Sequence, residues 1–259
     1  MSGAGDTGVV LDGGDRITLS PASHVLERST VNTGNYFVWA NAPLVFVGGV
    51  GQAVLGNEIN NGTHQAVWVQ GNDHVISSNR IHDVVQQTTD SGAVYGGREW
   101  TYRGNQIVNN SFTNLRSHLG EDTSAVYLDD CLSGFNVSGN SFRNVSRALL
   151  LGGGRDNIFM DNTVDGSHSS EIVHFDSRCS GGGASTAIQV ARLSLVPYNT
   201  SAAWAKYGER MANILKDDPG EPSGNSIADN RFCHGASDCN QSPATIKGFN
   251  SSYRDNVDC

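Results

Sequence analysis

Six acidic side chains recur along one stretch of this chain at spacings suited to acid–base chemistry. Asp129 and Asp130 close the apolar run Ser124-Ala125-Val126-Tyr127-Leu128. Asp90 opens Asp90-Ser91-Gly92-Ala93-Val94-Tyr95-Gly96-Gly97-Arg98-Glu99-Trp100, which also carries Glu99. Asp156 ends Arg147-Ala148-Leu149-Leu150-Leu151-Gly152-Gly153-Gly154-Arg155-Asp156, and Asp176 lies in Val173-His174-Phe175-Asp176-Ser177-Arg178. Cleavage of a glycosidic bond needs a carboxylic acid to protonate the leaving oxygen. A second carboxylate then acts as nucleophile or as base for water. Asp130, Asp129 and Asp90 are the candidate catalytic residues, in that order. An arginine beside a carboxylate lowers its pKa and a crowding like charge raises it, and an acid/base pair needs that split. Arg98, Arg155 and Arg178 are placed to hold sugar hydroxyls or substrate carboxylates, or else to pair with the neighbouring Asp. Glu99, Asp156 and Asp176 join them as substrate-binding candidates. Trp100, Tyr127 and His174 complete that set, with packing as the alternative role for Trp100.

Those segments must be positioned by a repeat. Asn57, Asn79, Asn110, Asn140, Asn162 and Asn230 each precede a residue and then Ile, Phe or Val, at intervals of 22, 31, 30, 22 and 68 residues. Ser29 stands in the Asn place of a degenerate earlier copy. A unit near 22 residues with insertions is the period of one coil of a right-handed parallel β-helix. Short strands would stack about 4.8 Å apart, and a side-chain amide at each tight turn would bond to the amides above and below. No coil buries its own apolar face, so only the stack is stable. The class expected is therefore all-β.

Aligning the strands on Ala66, Ala93, Ala125, Ala148 and Ile172 puts Trp68, Tyr95, Tyr127, Leu150 and His174 in one column. Its aromatic members are expected in the core, with a platform for sugar rings as the alternative. Gln70, Gly97, Asp129, Gly152 and Asp176 form another, where the glycines leave space beside the acids. Asp90 precedes its alanine by three residues while Asp129 follows its own by four, so pairing them requires a curled loop. Arg98, Glu99, Asp130, Arg155 and Asp156 cluster better by register.

The 68-residue interval holds an insertion, about 178–224. Within it Trp204, Tyr207, Met211, Ile214 and Leu215 follow helical spacing, predicting one amphipathic helix near residues 200–217. The rest reads as one domain over 1–259. Its early copies lack a polar cap, as expected of a chain that begins inside a longer protein.

Composition narrows the function. With 17 basic and 26 acidic residues the net charge is −9, and the only lysines are Lys206, Lys216 and Lys247. No basic stripe exists to neutralise phosphates, so nucleic acid is excluded as a partner. No run of 18 apolar residues predicts a membrane span. His64, His74 and His82 match no zinc signature. Gly152-Gly153-Gly154 lacks the Lys-Ser/Thr of a phosphate loop. Neither metal nor cofactor is expected, and the chain reads as a monomer. Seven Asn-X-Ser/Thr sequons begin at Asn61, Asn109, Asn136, Asn144, Asn199, Asn240 and Asn250. They suit an extracellular or secretory glycoprotein, although the start of this chain has no signal peptide. Cys233 and Cys239 are close enough for a local disulfide, and five cysteines leave an odd one.

With these motifs in view, the chain resembles the right-handed β-helix repeat proteins related to glycoside hydrolase family 141. His64-Gln65-Ala66, Asp90-Ser91-Gly92-Ala93, Gly97-Arg98-Glu99-Trp100, Tyr127-Leu128-Asp129-Asp130-Cys131 and Gly152-Gly153-Gly154-Arg155-Asp156-Asn157 carry the likeness. The resemblance implies an enzyme acting on a polysaccharide or oligosaccharide, with acids in the Asp90 and Asp129-Asp130 motifs. A polysaccharide lyase and a non-catalytic carbohydrate-binding or cell-surface module are the alternatives. The acidic net charge weighs against a lyase drawn to a polyanion.

Overall fold

The computed structural model describes residues 1–34, 37–120, 122–169, 171–181, 184–233 and 237–259. The asparagine repeat builds a hydrogen-bonded column. Asn79 Oδ1 accepts from both the backbone N–H and the side-chain Nδ2 of Asn57, at 2.9 and 3.0 Å. The same double bond runs from Asn79 to Asn110, on to Asn140, to Asn162 and to Asn230. Ser29 fits its place, donating its backbone N–H to Asn57 Oδ1 at 3.0 Å. The column extends one position beyond the sequence pattern, from Asn230 to Asn256. The six amides from Asn57 to Asn230 are buried. Each would cost about 1–3 kcal/mol if left unpaired.

A second column lies at another corner. The Gln52 N–H donates to His74 Nδ1, and the His74 N–H to Asn105 Oδ1, both at 3.0 Å. Further along, the Asn157 N–H donates to Asn225 Oδ1 at 2.9 Å. Burial pushes the His74 imidazole down to about 4, so its neutral ring can accept that bond.

Between these corners the described residues form three eight-stranded sheets whose neighbours pair in parallel. The chain visits them in rotation, for example Val67–Val69, Val75–Ser77, Arg80–His82 and then Ser91–Gly97 beside Val67–Val69. The fold is thus all-β with parallel sheets. One apolar core runs through all three sheets, from Val31 through Val94, Val126, Phe142 and Phe159 to Phe232.

Within the first sheet, Val67, Val94, Val126, Leu149 and Val173 pair in one column facing this core. Trp68, Tyr95, Tyr127, Leu150 and His174 stand one residue further on, in the expected register. Alternation turns them to the opposite face. They therefore lie outside that core cluster, although Tyr127 and Leu150 are themselves buried. Trp68, Tyr95 and Tyr127 instead make an edge-to-face ladder outside it, with centroids 5.4 and 5.6 Å apart.

The segment between strands Glu171–Asp176 and Ser226–Ala228 is the insertion, but it is not one helix. A helix over Ala184–Leu193 precedes three short pieces, Trp204–Tyr207, Gly208–Ala212 and Ile214–Lys216. Gly208, at φ +83°, breaks the expected single helix. The apolar spacing still finds the buried face, since Trp204, Met211 and Ile214 pack with Trp100 and Cys131. Leu215 is exposed.

Cysteine pairing also departs from expectation. Cys233 bonds to Cys259 rather than Cys239, and Cys131 bonds to Cys179. No described helix is long and apolar enough to cross a membrane.

Candidate active site

Asp129 stands at the end of strand Thr123–Asp129, between Gly97 and Gly152 on the flanking strands. A Cβ on Gly97 would lie 3.0 Å from both the Tyr95 hydroxyl and the Asp129 Cβ. One on Gly152 would lie 3.3 Å from the Arg178 guanidinium. The space left by these glycines is thus filled by the groups that touch the acids. Gly152 pairs in turn with Asp176.

The Tyr95 hydroxyl donates to Asp129 Oδ2 at 3.0 Å, and Arg178 Nη1 to Asp129 Oδ1 at 3.1 Å. The Asp130 N–H also donates to Oδ1, at 2.8 Å. Asp130 takes Arg98 Nε at 3.0 Å. Arg178 continues to Asp176 Oδ2, with Nε at 2.7 Å. His174 sits between Asp176 at 3.4 Å and Glu171 at 3.1 Å. Glu171 also pairs with Arg147. At the strand's other end, the Tyr127 hydroxyl donates to Asp90 Oδ1 at 2.8 Å.

These contacts set the charge states. Burial pushes the Asp129 carboxyl up, and the adjacent Asp130 charge adds to the rise. Tyr95, the Asp130 N–H and Arg178 oppose this without cancelling it. Asp176 goes the other way: burial opposes its charge, yet hydrogen bonds from His174 and Arg178 hold it below the usual carboxylate range. Burial and the nearby Asp129 charge push both tyrosine hydroxyls well up. Burial lowers His64, leaving a neutral ring at neutral pH.

Asp90, Asp129, Tyr95 and Arg98 line one cleft of about 320 Å³, with Asn41, His64 and Thr89 on its walls. Asp90 and Asp129 meet only as lining residues of that cleft, one at each end of the strand pair. Asp90 is at φ +49°, and its N–H donates to the Asp122 carbonyl at 2.7 Å. Asp130, at φ +22°, turns its side chain toward Arg98 and Arg178 and is not among the cleft's lining residues.

Of the other candidates, Arg98, Tyr127, His174, Asp176 and Arg178 join this hydrogen-bonded group. The remaining four lie elsewhere. Trp100 is fully buried beneath the insertion, where Gln189 accepts its backbone N–H. Glu99 is buried, accepts from Thr101 and faces Arg192 at 3.6 Å. Arg155 and Asp156 belong to a separate buried network with Arg103, Arg210 and Asp217. They do not cluster with Asp130. Tyr95 and His64 were absent from the candidates. Tyr95 shares its column with Tyr127, two positions before Gly97, and that register was the available signal. No family model matches the chain, and neither does any curated protein.

Proposed function

We propose that the chain is a right-handed parallel β-helix related to glycoside hydrolase family 141, and that it hydrolyses a glycosidic bond in an oligo- or polysaccharide. Rotation through three parallel sheets and amide columns at the corners support that winding. One observation carries the chemistry. Asp90 and Asp129, from neighbouring strands, open onto a single cleft, while burial and Asp130 hold Asp129 above the usual carboxylate range.

Asp129 is the general acid that protonates the leaving oxygen. Asp90, oriented by Tyr127, supplies the second carboxylate, as nucleophile or as base for water. Asp130 acts through Asp129, by its charge. Arg178, just past the strand Glu171–Asp176 two places along the sheet, fixes the acid's orientation. A lyase would need an arginine, histidine or tyrosine as base; the two tyrosines do not suit that role, because both hydroxyls donate to carboxylates and resist deprotonation.

Two disulfides and six exposed sequon asparagines (Asn61, Asn109, Asn144, Asn199, Asn240 and Asn250) support an oxidising, extracellular compartment. The test of reaction type is cleavage of a polysaccharide panel in heavy-oxygen water. Label in one product per cut marks hydrolysis. An unlabelled, ultraviolet-absorbing unsaturated product would mark a lyase and sink the assignment.

A further inference from the structure

Beside the catalytic cleft lies a second cavity of about 350 Å³, within the roughly 300–1,000 Å³ of small-ligand sites. Three segments run from one cavity to the other. Trp39 lines the second and Ala40 the first; Thr63 the second and His64 the first; Gln87 the second and Thr89 the first. Hydrogen bonds hold these segments together. Thr63 Oγ1 donates to the Trp39 carbonyl at 2.9 Å, and Thr88 Oγ1 to the Thr63 carbonyl at 3.1 Å. The Asn41 N–H donates to His64 Nδ1 at 3.1 Å. The same three segments thus border both cavities.

The second cavity has the chemistry of a sugar subsite. Trp39 is 60% exposed at its edge, whereas Trp100 and Trp204 are buried in packing roles. The C–H face of a pyranose ring is apolar and lies flat on an indole. The floor offers amides and hydroxyls from Asn61, Gln86, Gln87 and Thr63, with one carboxylate, Asp83. No basic side chain is among the described residues lining this cavity, and Asp83 disfavours an anion there.

We infer that this cavity is a second subsite, with Trp39 as its stacking wall, and that the substrate is a neutral chain spanning both cavities rather than a single sugar. The inference rests on the carbohydrate reading of the cleft and extends it to the second cavity. Asn61 begins a sequon and lines the cavity, so the test uses protein made in bacteria, without glycans.

The experiment titrates neutral gluco-, xylo- and galacto-tetrasaccharides, and one uronate tetrasaccharide, into the full-length Asp129→Asn protein by calorimetry. The same titrations are made with Trp39→Ala and Trp39→Phe added. A neutral tetrasaccharide should bind, Trp39→Ala should weaken it about tenfold, and Trp39→Phe, which keeps a ring, less than about threefold. Equal affinity with and without Trp39, no binding by any neutral tetrasaccharide, or stronger binding of the uronate would each overturn the subsite. Failure of the hydrolase reading shows separately, as cleavage by Asp129→Asn at the wild-type rate.

Discussion

The Tyr127 hydroxyl donates to Asp90 Oδ1 at 2.8 Å, joining side chains 37 residues apart. Tyr95, its register partner, reaches the opposite way to Asp129. Two tyrosines in edge-to-face contact thus tie both ends of the cleft to one ladder. Tyr127→Phe keeps the ring and removes the donor. A hydrogen bond to a charged group contributes roughly 1.5–3 kcal/mol. The expected result is a fall in kcat/KM of roughly tenfold to a hundredfold in a variant that still folds. Unaltered kinetics would show that Tyr127 does not orient a catalytic carboxylate.

Asp130→Asn should move a pH profile. Asp130 raises Asp129, and the active general acid is the protonated form. Removing the like charge lowers the Asp129 pKa, so the alkaline limb of kcat should shift to lower pH. A purely structural Asp130 would change the height of the profile without moving that limb.

The repeat was legible because the buried amides of Asn57, Asn79, Asn110 and Asn140 must each donate to the next asparagine, which needs Asn at one corner whatever the length of the intervening loop. The Gly97–Asp129–Gly152–Asp176 column followed from the same register. The roles of Tyr95 and Tyr127 did not follow. Alternation separates Val94 from Tyr95 but does not say which face is core. That Trp100 packs rather than meets substrate was not legible either, because its covering residues, Gln189 and Trp204, lie about 90 and 100 residues away. Disulfide partners are likewise set by which corners the stack juxtaposes, here Cys131 and Cys179, 48 residues apart.

That disulfide follows Asp130 on one side and Arg178 on the other, so it fastens the acid corner to the arginine that contacts it. By the chain-entropy relation, closing this 48-residue loop contributes about 4 kcal/mol. The Cys131→Ala/Cys179→Ala double variant should melt at lower temperature. It should also lose more kcat than a Cys233→Ala/Cys259→Ala variant, whose bond contacts none of the acids. Equal catalytic losses in the two would remove the positioning role.

Asp156 supplies the counter-charge to Arg103, which is 3% exposed. Burial opposes the Asp156 charge, but Arg103, Arg210 and Arg155 outweigh it and hold the carboxyl below its ordinary value. Its stabilisation is therefore present above the unfolded pKa of about 3.9 and is lost as pH falls through the lowered folded value. Asp156→Asn should cost roughly 3–5 kcal/mol at pH 7 in denaturant unfolding. The gap from wild type should shrink in acid below the ordinary carboxyl range. A pH-independent gap would contradict the ion-pair account.

The decisive comparison is hydrolysis by wild type and Asp129→Asn of aryl glycosides and plant or algal polysaccharides, at matched unfolding temperatures. With Asp129 as general acid, wild type cleaves at least one substrate and Asp129→Asn is slower by roughly a hundredfold to ten-thousandfold. Cleavage at the wild-type rate by the variant, or no cleavage by wild type across the panel, would contradict it.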